Sequence, residues 1–426
     1  MTNTHSEVMA FIKEQDVRFV RLVFCDIFGQ IKNISISADE LDRAFSSGIS
    51  FDASAVKGFL QVDESDLLLF PDASTLSILP WRPAQGRVVR FFCSIKRPDG
   101  TPFEGDGRSL LAETVQKAAL LGYKFGVGPE CEFYLFKLDE EGLPTYRPMD
   151  RGSYLDVAPL DKGENVRREI CLTLEQMGFY TERSHHESGP GQHEIDFKYG
   201  SPLEAADNFI TFKSVVKTIA DRSGLFASFL PKPLAQESGS GLHINLSITH
   251  EGQQSKILEQ QMTAGILNRI NEISLFLNPL VNSYERLGCF EAPRYIGWGR
   301  ANRSLLIRLP QTTGEYRRIE VRSADPACNP YLAITLLLNA ALEGIQNHMV
   351  SDEEYIGSAY QKQCGKTLPP SLIDAIELAK NSEFVSSIIP KRLLEYFLEA
   401  KLADWRAYED AGDKHLASRI PYFMTT

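Results

Sequence analysis

The chain has 426 residues, 43% of them hydrophobic and 24% charged, which is too long for one ordinary domain and too apolar for a disordered segment. Its formal net charge of −11 repels nucleic-acid backbones and sets nucleic acid aside as a primary partner. No stretch reaches the roughly 18 apolar residues of a membrane helix, no secretory signal is read at the start, and the seven scattered cysteines form no Cys-x-x-Cys pair, so a cytoplasmic enzyme with reduced thiols is expected.

In chain order, Arg18 to Cys25 is dense in Phe, Val and Leu and reads as a strand. A turn at Asp26 to Gly29 and a second strand from Ile31 to Ile36 complete a hairpin. A short helix is expected from Ser37, whose hydroxyl suits an N-cap. Asp66 to Phe70 and Arg87 to Lys96 read as extended. Arg97-Pro-Asp-Gly100 is a strong turn, which places a boundary between a strand-rich domain over 1–100 and a larger domain over 101–426. In the second part, apolar residues at three-to-four spacing predict helices over Ser109 to Leu121, Glu164 to Met177, Pro202 to Arg222 and Pro330 to His348. Strands with two-residue alternation lie between them, so the expected class is α+β.

Three of those strands carry chemistry on one face, because alternate side chains of a strand point to opposite sides. In Gly128-Pro-Glu-Cys-Glu-Phe133, Glu130 and Glu132 share a face. In Gly241-Leu-His-Ile-Asn-Leu-Ser247, His243, Asn245 and Ser247 share one face, and Leu242, Ile244 and Leu246 fill the other. In Arg317-Arg-Ile-Glu-Val-Arg322, Arg318, Glu320 and Arg322 stand opposite Ile319 and Val321. A fourth segment, from His185 to Glu194, sets Glu187 and Glu194 on either side of a Gly-Pro-Gly turn. Any one of these suits a solvated strand face. Together, five glutamates and a histidine suit hard divalent cations, and the arginines suit phosphates and carboxylates. Neither a Gly-x-x-x-x-Gly-Lys-Ser/Thr loop nor a Gly-x-Gly-x-x-Gly turn after a strand is present, so a nucleotide would be held through metals and arginines.

At this point the sequence resembles the glutamine synthetase family of bacterial type I, in its shorter Gram-positive-like form. The resemblance runs through GPECEFYLF, SHHESGPGQHEIDFKYG, SGSGLHINLS, NSYERL, FEAP, ANRSLLIRLP and RRIEVRSADPACNPYLA, in family order along nearly the whole chain. It implies a small β-grasp-like N-terminal domain and a catalytic domain with a curved antiparallel sheet flanked by helices. It also implies stacked six-membered rings, in all a homododecamer, with active sites between subunits. By motif match, Glu132, Glu187 and Glu194 would hold one Mg2+ or Mn2+ ion and Glu130, His243 and Glu320 another, with two or three ions per site. Arg303, Arg308 and Arg318, with Asn245 and Ser247, would face ATP, and Arg286, Arg322 and Gly239 would face glutamate. Tyr154 would stand near the ammonium pocket, Asp52 would take a proton from ammonium, and Glu291 would shield the activated carboxylate. The implied reaction joins ammonia to the γ-carboxylate of glutamate. An organic amine as acceptor, or a non-catalytic paralogue, are the alternatives.

The chain departs from the family pattern at four places. The usual Asp-Gly-Ser-Ser reads Asp52-Ala-Ser-Ala55, and the usual Asn-Gly-Ser-Gly reads Ser238-Gly-Ser-Gly241. The segment between Arg286 and Glu291 is one residue shorter, and Gln61 stands where the subgroup has an arginine. No match to the family's adenylylation segment is read around Asp352 to Leu368.

Overall fold

The computed structural model describes residues 4–82, 85–311, 317–361 and 365–426. Cys364 and part of the stretch read for adenylylation lie outside them.

Two sheets organise the chain. The first contains β1 (Val17–Cys25), β2 (Ile31–Ser37), β3 (Ile49–Asp52), β4 (Asp66–Pro71), β5 (Ser77–Ile78) and β6 (Arg87–Lys96), in the order β2-β1-β6-β4-β3 with β5 beside β6. The predicted hairpin is there, with Phe19 opposite Ser37 and Cys25 opposite Ile31. Asp26 closes its turn by accepting from the amides of Phe28 and Gln30. The short helix expected at Ser37 forms as a 3-10 turn over Ala38–Glu40 that runs into a helix over Leu41–Ser47, with the Ser37 hydroxyl capping Asp39.

The second sheet has nine strands: β7 (Tyr123–Leu138), β8 (Pro144–Pro148), β9 (Thr181–His186), β10 (Gln192–Phe197), β11 (Leu225–Ser228), β12 (Leu242–His250), β13 (Tyr295–Arg300), β14 (Leu305–Leu309) and β15 (Ile319–Val321). Its order is β13-β14-β15-β12-β7-β10-β9, with β8 and β11 also paired to β7. At 16 residues β7 is long enough to take four partners along its length, all of them antiparallel. The curled sheet is flanked by helices, the α+β arrangement expected.

All four predicted helices form, over Gly107–Leu120, Glu164–Gln176, Pro202–Arg222 and Pro330–Gln346. The last two start where proline fixes the first turn, behind Ser201, which accepts from Glu204 N, and Asn329, which accepts from Tyr331 N. Pro330–Gln346 is buried almost throughout and crosses a helix over Lys256–Leu277 at Gly265 and Gly344. A Cβ on Gly265 would lie 2.1 Å from Ala340 O, so only glycine permits this approach.

The two sheets are bound by polar contacts as well as packing. The Asn329 amide donates to Ile27 O at 3.1 Å, in the β1–β2 turn. Arg108 bridges Asp72, after β4, and Asp207, which also accepts from Tyr331 Oη at 2.7 Å. Gln61 Nε2 donates to Tyr396 Oη at 3.1 Å in the helix Lys391–Asp410.

Candidate active site

Strand register gathers most of the residues singled out in the sequence. Glu130 on β7 lies across from His243 on β12 and, on its other side, from Asp196 on β10. Glu132 lies across from Glu194. Beyond β12, Asn245 pairs with Glu320, which pairs with Arg308 of β14. Strand β15 is shorter than the sequence suggested, so Arg318 and Arg322 flank it.

Glu130, His243 and Glu320 bring ligand atoms within 4.8 Å of one another. His243 Nδ1 stands 3.5 Å from Glu130 and 3.6 Å from Glu320. Two further groups form beside them: His185 with Glu187 and Glu194, and Glu130 with Glu194 and Asp196. Glu132 borders the first of these, but one of its oxygens accepts from Gly241 N at 2.7 Å and Gln192 Nε2 at 3.3 Å. His185 and Asp196 were not picked out from the sequence. The signal was available, since residue 185 has the parity of Glu187 and residue 196 that of Glu194.

Electrostatics separates these acids into two kinds. Burial opposes ionisation of Glu130, but His243, Asn245 and Arg183 outweigh it and hold the carboxyl at about 2. Burial is likewise overcome at Glu320, by His243, Arg322 and Arg308, and at Glu187, by His185 and Ser188. Glu194 and Glu132 are pushed up, by burial first and then by neighbouring acids. A concentration of buried carboxylate oxygens, two of them on carboxyls that burial pushes up, fits hard divalent cations.

The arginines divide by what satisfies them. Arg308 and Arg322 both donate to Glu320. Arg318 donates to Asn245 Oδ1 at 3.0 Å, and Ser247 Oγ lies 2.6 Å from Tyr199 Oη. Arg286 is buried and donates to the carbonyls of Ser323 and Ala324, at 2.9 and 3.2 Å. No carboxylate among the described residues forms an ion pair with it, so it can take an anionic ligand. Gly239 lies under its side chain, where a Cβ would approach Arg286 Cγ to 2.8 Å.

Four predicted residues, Asp52, Tyr154, Glu291 and Arg303, are exposed rather than part of the buried cluster. Asp52 is exposed and accepts from Ser54 N at 2.9 Å and Ser54 Oγ at 2.6 Å, which lowers its pKa. Tyr154 is half exposed, with its ring edge-on to His185 at 5.5 Å. Glu291 is exposed, 3.6 Å from Arg303, while its carbonyl accepts from Arg322 at 3.3 Å.

Asp150 was not singled out in the sequence. It accepts from the amides of Gly152, Lys162 and Gly191 at 3.2, 2.9 and 2.9 Å, and from His186 Nε2 at 3.0 Å. His186 Nδ1 in turn meets Glu187 O at 2.6 Å. The buried Asp150–His186 pair therefore fixes the loop between β9 and β10, which carries Glu187 at its start.

A pH dependence follows from the two raised carboxyls. An unfolded glutamate loses its proton near pH ~4.3, while burial raises Glu194 and Glu132 above that in the folded chain. The stability they contribute is complete below that pH and is lost as pH rises through their folded values. Glu130 has the opposite slope, confined to roughly pH 4 and below. Cation binding requires ionised carboxylates and so offsets the loss. Thermal unfolding from about pH 5 to 8, with Mg2+ and with a chelator, is expected to show a cation increment that grows with pH to several degrees. An increment independent of pH would exclude these carboxylates as ligands.

A strand-rich N-terminal unit stands beside a curled sheet with clustered acids and arginines, a set of side chains that suits divalent cations and anionic groups. Residues 16–98 match the family model of the glutamine synthetase β-grasp domain, and residues 104–416 that of the glutamine synthetase catalytic domain. The chain belongs to the glutamine synthetase family. It is 45% identical to a glutamine synthetase of Methanosarcina mazei over 424 residues, covering 95% of each chain. It is 42% identical to that of Staphylococcus aureus over 427 residues, covering 96% of each. Among solved structures, a GmaS/ADP complex superposes with a TM-score of 0.88 at 26% identity, over 98% of both chains.

Proposed function

We propose that this chain is a glutamate–ammonia ligase, which uses ATP to join ammonia to the γ-carboxylate of L-glutamate and releases glutamine, ADP and phosphate. The observation that carries the reading is the convergence of Glu130, His243 and Glu320 with Arg308, Arg318 and Arg322 in a chain of this family.

A γ-carboxylate oxygen attacks the terminal phosphorus of ATP, ADP leaves, and ammonia then attacks the acyl carbon and displaces phosphate. Mg2+ or Mn2+, two or three ions held by Glu130, His243 and Glu320 and by Glu132, Glu187 and Glu194, would neutralise the phosphates during transfer. The proposed ATP side comprises Arg303, Arg308, Arg318, Asn245 and Ser247. Arg286 and Arg322 suit the carboxylates of glutamate, with Gly239 leaving room beside Arg286. Ammonium is no nucleophile until it loses a proton, and exposed Asp52, its carboxylate ionised by Ser54, suits that base. Tyr154 would border the ammonium pocket. Glu291 would close over the acyl phosphate and keep water away.

A two-domain division near residue 100 and an assembly of stacked hexameric rings complete the proposal. The assembly is supported by the distance of Asp52 from the buried cluster in sequence and contacts, and by exposed Tyr154, Leu155, Val157 and Leu160 in one loop. A cytoplasmic setting is supported by six described cysteines that are all free, and no helix among the described residues is long and apolar enough to cross a membrane.

Phosphate release and amide formation with ATP, glutamate and Mg2+ test the reading, comparing ammonium with putrescine, spermidine and ethanolamine. Ammonium is expected to lead by ~10-fold or more in kcat/KM. An organic amine in the lead would mean that Ala55 and Ser238 mark a reshaped acceptor pocket. No turnover with any amine would leave a non-catalytic paralogue.

A further inference from the structure

Lys232 is 2% exposed, yet among the described residues no carboxylate forms an ion pair with it. Its backbone is fixed by Asn282, which accepts from Lys232 N at 2.6 Å and donates to Lys232 O at 3.0 Å. The side chain then spans two loops. The ammonium donates to Glu237 O, one residue before the Ser238–Gly239 stretch, and lies 4.5 Å from the centre of the Phe290 ring. Phe290 precedes Glu291, in a tight turn closed by Cys289 N to Arg286 O at 3.2 Å and Gly288 N to Ala292 O at 3.0 Å. Its φ of 54° is unusual for a bulky residue, and the residue is 53% exposed. A strained, exposed aromatic stays in place only if neighbouring contacts hold it. Lys232 beneath the ring and Arg322 on Glu291 O are those contacts.

We infer that Lys232 is a positioning residue that latches the Glu291 turn to the Glu237–Gly239 loop and so keeps water from the activated carboxylate. The inference rests on the proposed ligase reaction. If the turn is free to lift, water adds to the acyl carbon of the γ-glutamyl phosphate and the bond from that carbon to the phosphate oxygen breaks. Phosphate leaves with the electron pair, a proton passes to solvent, and glutamate is regenerated. ATP is then spent without an amide being made.

The readout is phosphate released per glutamine formed, which does not depend on how much protein is folded. Wild type is expected near one. Lys232→Met and Phe290→Leu are each expected to raise the ratio by about threefold or more, the shift carried by losing a partly desolvated cation–π contact. Lys232→Arg keeps a cation under the ring and should restore a ratio close to wild type. Phe290 is a surface residue, so Phe290→Leu carries the test even if Lys232→Met fails to fold. A coupled wild type with equally coupled Lys232→Met and Phe290→Leu overturns the latch alone. A wild type that forms no amide overturns the ligase reading and the latch with it.

Discussion

Glu320→Ala is expected to destabilise the chain by about 3–5 kcal/mol and to reduce amide synthesis to about a thousandth of wild type or less. The Glu320 carboxylate is fully buried and accepts from Arg308 and Arg322 on different strands or strand ends, with His243 at 3.6 Å. Truncation takes the shared counter-charge from the buried Arg322 and the partly buried Arg308, and that uncompensated charge accounts for the stability loss. The same change removes one of three donors from the group with Glu130 and His243. Glu320→Gln separates the two effects. Its amide oxygen still accepts from one arginine and its volume is unchanged, so it should unfold nearer to wild type while synthesis stays low. Thermal unfolding beside ATP-dependent glutamine formation measures both. A folded Glu320→Gln variant within about tenfold of wild-type turnover would remove Glu320 from the catalytic machinery.

The same residue illustrates what was legible in the chain. Alternation in β7, β12 and the stretch from Arg318 to Arg322 put Glu130, Glu132, His243 and Glu320 on chemistry-bearing faces, because the strand period is fixed by geometry. Burial was not legible from that pattern, because alternation does not report depth: His243, Glu194 and Glu320 are buried. The helix Lys256–Leu277 gave no signal, since it is buried on much of its circumference and has no sharp polar stripe. The opening helix His5–Glu14 was also passed over, although Thr4 and Glu7 form a capping box. Asp150 and Lys232 meet partners up to 58 residues away (290 − 232), and only the fold brings those partners to them. The motif resemblance suggested roles that no local pattern could, those proposed for Asp52 and Glu291 above all.

Asp52→Ala subunits and Glu320→Ala subunits, each inactive alone, are expected to recover synthesis when they assemble together. Asp52 ends β3 in the N-terminal sheet, exposed, and its carboxylate is occupied by Ser54 and by no residue of the buried acid and arginine cluster. On the proposed reading, Asp52 as the base for ammonium would be supplied across a subunit contact, and in the proposed ring each site would take one face from each of two neighbours. Removal of a general base costs ~10²–10⁴ in rate, so Asp52→Ala alone should fall into that range without loss of stability. In a random equal mixture, a site combines an intact Asp52 with an intact Glu320 about one time in four. Co-expression with two different tags, tandem purification and a glutamine assay should then return roughly a quarter of wild-type activity. The Glu320→Gln variant can replace Glu320→Ala if the latter does not assemble. Mixed oligomers that stay as inactive as their parents would mean that Asp52 serves its own subunit or none, and the shared-site arrangement would fall.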